Sequence, residues 1–425
     1  MTHPDRTKAP ATHPFADIHI TPEEVIQLAN GTELHIVNSG ELPVSRVGIY
    51  WEGGKLESTD RAALRVGVGA MREATASYSP EQLADAIDFN GARISSRCAD
   101  HYCCLDLLTL NSHLDELMPL IGSIATEASF PGQTVGMTAR KEAANLAVKL
   151  SRVAYRAGRR LRNMMYGYNH PGFAKMTPED YEGVTPERCR AAYGNMLLAH
   201  KVAFLGGAFD SATVDKVCRF LESLPASGLH PLKVVKFTPE PVERVFIPMP
   251  EAKQAAVAMA LPTIGRDHPD YITLRLAVMA LGGYFGSRLM GNIREEKGLT
   301  YGISSGLLGS REGAYMEINA QTDSSTVDQV IEESCKEIAS LAANPPRGEE
   351  LLRLQQYAWS QLAASADSSL GILDTYITRL LVATPPDYFQ AQLRTIESLT
   401  PEAIARVASL YLDPAQLRIV VAGRE

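Results

Sequence analysis

No window of this 425-residue chain approaches the roughly 18 apolar residues in a row that a membrane-spanning helix needs. The N-terminal stretch MTHPDRTKAPATHPF has no apolar run of the kind a secretory leader carries. Positive charge is not in excess either: 41 Lys and Arg face 49 Asp and Glu, a formal net charge of −8. Nucleic acid and anionic membranes attract clustered cations, so neither is expected as a partner. The six cysteines (Cys98, Cys103, Cys104, Cys189, Cys218, Cys335) follow no regular framework. In a large chain without a leader they are expected to stay reduced, which points to the cytoplasm. The ten histidines contain no H-x-x-x-H pair and no H-x-x-E-H or H-E-x-x-H, so the usual helical zinc-peptidase motifs are missing. No G-x-S-x-G occurs, and GGAFDSATV (206–214) reads as a strand-to-helix turn.

What is present is an ordinary globular composition, 45% hydrophobic and 21% charged, in a chain long enough for more than one core. Its two halves echo each other. YSPEQLADAIDFNGARISS, a strand, then LDELMPLIGSIATEASFP in the first half are matched by GSRLMGNIREEKGLTYGISS, a strand, then VDQVIEESCKEIASLAANPP in the second. Likewise VTPERCRAAYGNMLLAHKVAFLGG is matched by LTPEAIARVASLYLDPAQLRIVVAG. The join falls in the Pro- and Gly-rich LPASGLHPLKVVKFTPEP (224–241), so domains are expected at 1–225 and 226–425. Each half reads strand, helix, strands, helix, helix, strand, with GTELHIVNS, SRVGIYWEG and YCCLDLLTL as strands by their β-branched and apolar content. The fold class is therefore α+β: two tandem similar domains, each a mainly antiparallel sheet with helices on one face.

Three stretches carry candidate chemistry. KLSRVAYRAGRRLR (149–162) spreads its charges around a helical wheel and reads as a solvated face, or as a surface for an acidic partner. CADHYCC holds Cys98, His101, Cys103 and Cys104. Strand alternation would place His101 and Cys103 on one face and Cys98 and Cys104 on the other, as ordinary strand residues. GGYFGSRLMGNIREEKGLTYG (282–302) predicts a helix ending near 281, an interruption at Gly282–Gly283, and a second helix over about 285–297. Gly298 stands where a left-handed cap belongs, and a strand starts near Thr300. Arg294 in the last turn and Tyr301 on the strand would then point into one space. On the residues alone, a helix-end cation favoured by the macrodipole and a plain strand aromatic explain them as well.

Most of residues 25–425 resembles the pitrilysin/insulinase-like zinc peptidases, the inverted zincins. The resemblance rests on NGTELHIVNSGELPVSRVGIYWEGG, YSPEQLADAIDFNGARISS, YGYNHPGF and above all GGYFGSRLMGNIREEKGLTYG. Aligned on Thr75, Tyr78 and Ser79, the H-x-x-E-H of such enzymes falls on RVGVG. Arg65 and Gly69 then stand at the two histidine positions, Val68 at the glutamate, and Leu146 at the later ligand. No catalytic residue, metal ligand or cofactor is expected on this chain. The resemblance implies that Arg294 and Tyr301 bind substrate backbone and stabilise developing charge at a zinc held by another subunit, as in bacterial two-subunit peptidases. The partners implied are a zinc-bearing homologous subunit, or a second copy in a homodimer, and extended peptides. The competing readings are a self-associating, inactive peptide-binding or scaffold homologue, and an enzyme of unrecognised chemistry.

Overall fold

The computed structural model describes residues 7, 18–228 and 234–424. The other residues, which include most of the N-terminal stretch and part of the expected join, lie outside the described residues. Eleven strands are described: β1 (Glu24–Gln27), β2 (Glu33–Asn38), β3 (Val44–Glu52), β4 (Arg93–Cys98), β5 (Tyr102–Leu110), β6 (Lys201–Gly207), β7 (Arg244–Pro248), β8 (Ala255–Thr263), β9 (Thr300–Gly309), β10 (Ala314–Thr322) and β11 (Arg418–Gly423). They form two sheets, β1-β2-β6-β3-β5-β4 and β7-β11-β8-β10-β9. Apart from the extra β1 at one edge, the second order repeats the first element for element. In each sheet one pair is parallel, β2 with β6 and β7 with β11, and the rest are antiparallel. The α+β class with two mainly antiparallel sheets is thus observed.

Local chemistry explains the repeat. The TPE of each half opens a helix in the same way: Thr185 and Thr400 are N-caps accepting from Arg188 N and Ala403 N, with Pro at the first turn. Such a cap contributes about 1 kcal/mol. The central strands are apolar on both faces: all seven residues of β6 are buried, as are Ala255–Leu261 of β8, a pattern that requires cover on both sides of the sheet.

The cover on the second face is where the observed fold goes beyond helices on one face. The Val153–Tyr166 helix of the first half buries Ala157, Leu161, Met164 and Met165 against Ala256, Ala258, Ala260, Val420 and Ala422 of the second sheet. Reciprocally, the Ser369–Leu381 helix buries Ile372, Leu373, Tyr376 and Ile377 against Val37, Tyr50, Cys104 and Phe204 of the first. Each fully buried side chain of this size contributes about 1.5–3 kcal/mol. The exchanged helices therefore tie the halves more strongly than ion pairs such as Arg46–Asp374 at 2.6 Å, which contribute about 0–1 kcal/mol when partly exposed. No helix among the described residues is long and apolar enough to cross a membrane.

Candidate functional site

In the first half the degenerate motif lies on the Arg61–Ala70 helix, capped by Asp60, which accepts from Ala63 N. Val68 and Gly69 are packed into the helix layer, and Leu146 of the Gly132–Leu150 helix rests against the first core. Arg65 reaches across to that same helix, and its Nε donates to Glu142 Oε2 at 2.6 Å. Zinc does not fit here. A guanidinium has no lone pair to give, and valine, glycine and leucine offer no donor in place of imidazole and carboxylate. Among the described residues no group of three or more His, Cys, Asp or Glu could hold a metal.

Beside this pair lies a cavity of about 130 Å³ lined by Arg61, Arg65 and Glu142 together with Arg159 and Arg162. The stretch read as a solvated basic face is therefore two elements, one helix ending at Leu150 and another starting at Val153. The second turns its apolar stripe to the second sheet. Two of its arginines are half-buried and engaged: Arg160 pairs with Glu240 at 2.6 Å, and Arg159 donates to Ala174 O and Met176 O. The segregation was hidden because the break at Ser151–Arg152 resets the helical phase.

CADHYCC also differs from a single alternating strand. Ala99–His101 turn between β4 and β5, so that Cys98 stands opposite Cys103 in register. Cys103 joins the first core and Cys104 the layer beneath the exchanged helix. His101 sits at the seam of the two halves: its Nδ1 lies 2.7 Å from Glu57 Oε1, and its Nε2 contacts the Glu312 carboxylate. Burial alone would push His101 down, but the two carboxylates outweigh it and hold it up at about 9. Burial pushes Glu312 up, and His101 pulls it down to about 2.

In the second half the Tyr271–Gly282 helix ends against β9. A Cβ on Gly282 would meet Ser305 N at 2.6 Å, so close approach requires glycine there. The expected second helix over 285–297 is shorter and wound differently, as a π-helix over Met290–Glu296. The wider turn buries Met290 and Ile293 while Asn292 donates to Glu333 and Glu337. Single π turns of this kind concentrate at functional sites. Gly298 has φ +62°, as a left-handed cap requires, and Leu299 N donates to Ile293 O at 2.9 Å.

The reversal brings Arg294 and Tyr301 together. The Arg294 guanidinium carbon lies 5.1 Å from the Tyr301 ring centroid and 5.1 Å from that of Phe285. Tyr301 is 87% exposed and Phe285 64%, so the cation is flanked by two rings that the core does not use. Phe285 was not singled out in the sequence, although it stands within the same GYFG. Neither Arg294 nor Tyr301 lines the Arg65 cavity.

Residues 184–357 match the family model described as Peptidase M16 inactive domain. No curated protein is significantly similar in sequence. Among solved structures, a peptidase M16 inactive domain from Pseudomonas fluorescens is 21% identical, with 95% of this chain covering 98% of that one at a TM-score of 0.85. A chain of Complex III2 from Candida albicans is 14% identical, covering 94% and 95%, at 0.76. The periplasmic protease PqqL from Escherichia coli is 16% identical at 0.80, all of this chain covering 49% of that one. The resemblance to an inactive-type relative of the pitrilysin-like peptidases is borne out.

Proposed function

We propose that this peptidase-like chain of the inactive type works as the non-catalytic subunit of a two-subunit zinc peptidase, lending Arg294 and Tyr301 to a metal site on its partner. The observation that carries the reading is the exposed Phe285–Arg294–Tyr301 cluster, a cation and a phenol held side by side with no carboxylate in ion-pair contact among the described residues. An arginine offers a planar fork of donors to a peptide carbonyl, and a phenol adds one more. Two such donors aimed at developing negative charge supply transition-state stabilisation without any metal of their own. Tyr301 is the second residue of β9, the edge strand of its sheet, and an open edge is a template for an extended peptide. A similar structure twice as long supports the idea that a second unit completes this one, and one within a multi-subunit assembly supports association. Six free cysteines favour a cytoplasmic setting.

The test mixes the purified chain with a homologous subunit carrying H-x-x-E-H and follows peptide turnover. Arg294→Ala and Tyr301→Phe should each lower turnover by roughly tenfold to a thousandfold, with assembly unchanged. Arg294→Lys should rescue poorly, because it lacks the planar fork. Equal turnover for all three, with the complex intact, would leave the self-associating, peptide-binding reading in its place.

A further inference from the structure

We infer that the cavity at the degenerate motif is an oxyanion site, built to receive a carboxylate or a phosphate where related enzymes hold a dication. The protein as a whole is acidic, with a net charge of −8, yet seven of the side chains lining this cavity are basic and only two acidic. Both acids are already engaged: Glu142 with Arg65 at 2.6 Å, and Asp100 with Lys55 at 2.8 Å. Arg61, Arg162 and Lys149 make no ion pair among the described residues, so the cavity carries uncompensated positive charge.

Arg162 is the sharpest sign. Its Nε is buried and finds no hydrogen-bond partner, although its charge helps, after Lys55, to hold the Asp100 carboxyl down against burial. A buried donor left unmade costs about 1–3 kcal/mol, and because Arg162 lines the cavity, a turn of its guanidinium toward an oxyanion held there would satisfy it. At about 130 Å³ the space is several times what a single water needs, which suits a phosphate or the end of a peptide. Exposed Lys149 and Lys175 stand at its mouth. Guanidinium groups on converging helices are the usual recognition chemistry for such groups. This assignment does not depend on the role of Arg294 and Tyr301.

The experiment uses the full chain and calorimetric titration with two kinds of probe. One is inorganic phosphate; the other is a pair of short peptides identical except for a free or an amidated C-terminus. Saturable binding of phosphate, or tighter binding of the free-acid peptide than of the amide, is expected, and the arm that responds identifies the source of the oxyanion. Arg162→Gln should weaken that binding ~10- to 100-fold, the value of a charge-assisted hydrogen bond. Arg61→Gln, which breaks no ion pair and leaves the fold undisturbed, should also weaken it, and added salt should weaken it further. Arg294→Ala should bind like wild type. No binding by either probe, or binding that neither arginine variant alters, would overturn the assignment.

Discussion

The two halves share one strand order but place the cations of their candidate sites differently. In the first half three of them turn inward onto carboxylates: Arg65 on Glu142 at 2.6 Å, Lys55 on Asp100 at 2.8 Å, His101 on Glu57 at 2.7 Å. In the second half a half-buried Arg294 lies between two exposed rings, with no ion-pair partner among the described residues. Inward pairs hold packed structure in place, and removing one partner leaves a charge without compensation. An outward cation flanked by exposed aromatics gives the fold little, since a cation–π contact at an exposed site contributes only about 0.5–1 kcal/mol. One half packs its cations around a cavity, while the other displays a cation beside two exposed rings that the core does not use.

The largest effect should come at His101, where an inward charge joins the halves. Its pKa is raised from 6.5 to about 9, so its stabilisation is complete below about pH 6.5 and is lost as pH rises through 9. Glu312 is lowered to about 2; its contribution is present above about pH 4.5 and fades only as pH falls through 2. Stability should therefore fall between pH 6.5 and 9 by up to about 3 kcal/mol, at ~1.4 kcal/mol per pKa unit. Urea unfolding of wild type and His101→Gln across that range checks it. The variant's profile should be flatter, and parallel profiles would show that the seam does not depend on this charge.

Next in size is Gly298→Val. With φ +62° and open space where a Cβ would stand, the cost is backbone strain alone, about 2 kcal/mol for a β-branched residue. Gly91, with φ +55° and equally open space, is its counterpart, and Gly91→Val should cost a similar amount by denaturant unfolding. Only the Gly298 change should also abolish the partner-dependent turnover proposed for the Arg294–Tyr301 pair, because it ends the reversal that brings them together. Equal functional loss from both would erase the distinction between the halves.

Arg65→Met should destabilise by about 1–2 kcal/mol, because it strands a half-buried Glu142. Glu142→Gln in the same background should recover most of that loss, which a double-mutant cycle in urea would measure.

How much of this was legible in the sequence follows from what acts locally. The repeat was, because caps such as Thr185 and Thr400 and the apolar strands are written in adjacent residues. The left-handed Gly298 was legible for the same reason. Three features were not. The exchange of the Val153–Tyr166 and Ser369–Leu381 helices depends on which sheet an apolar stripe meets, and periodicity does not say. The π winding over Met290–Glu296 follows from seating Met290, Ile293 and Asn292 against neighbours distant in sequence. The convergence of Arg61, Arg65 and Arg162 on one cavity joins separate helices, one of which read as a plain solvated face.

The smallest expected effect tests the displayed side of the comparison most directly. Arg294→Ala and Phe285→Ala should each change unfolding free energy by about 1 kcal/mol or less, and Tyr301→Phe by less still. The reasons are physical. Arg294 makes no ion pair among the described residues, and the two rings beside it are 64% and 87% exposed, so truncation removes little buried area. Its place in the last helical turn contributes a macrodipole interaction of about 0.3–1 kcal/mol at low ionic strength. Salt should remove most of what remains, so Arg294→Ala and wild type should converge in urea unfolding as salt is raised. Arg65→Met, measured beside it, should keep most of its deficit in the same salt, since its pair is partly shielded from solvent. A loss above about 1.5 kcal/mol for Arg294→Ala that persists in salt would make the cluster a structural element like Arg65 and Glu142, and the contrast between the halves would fail at its outward end.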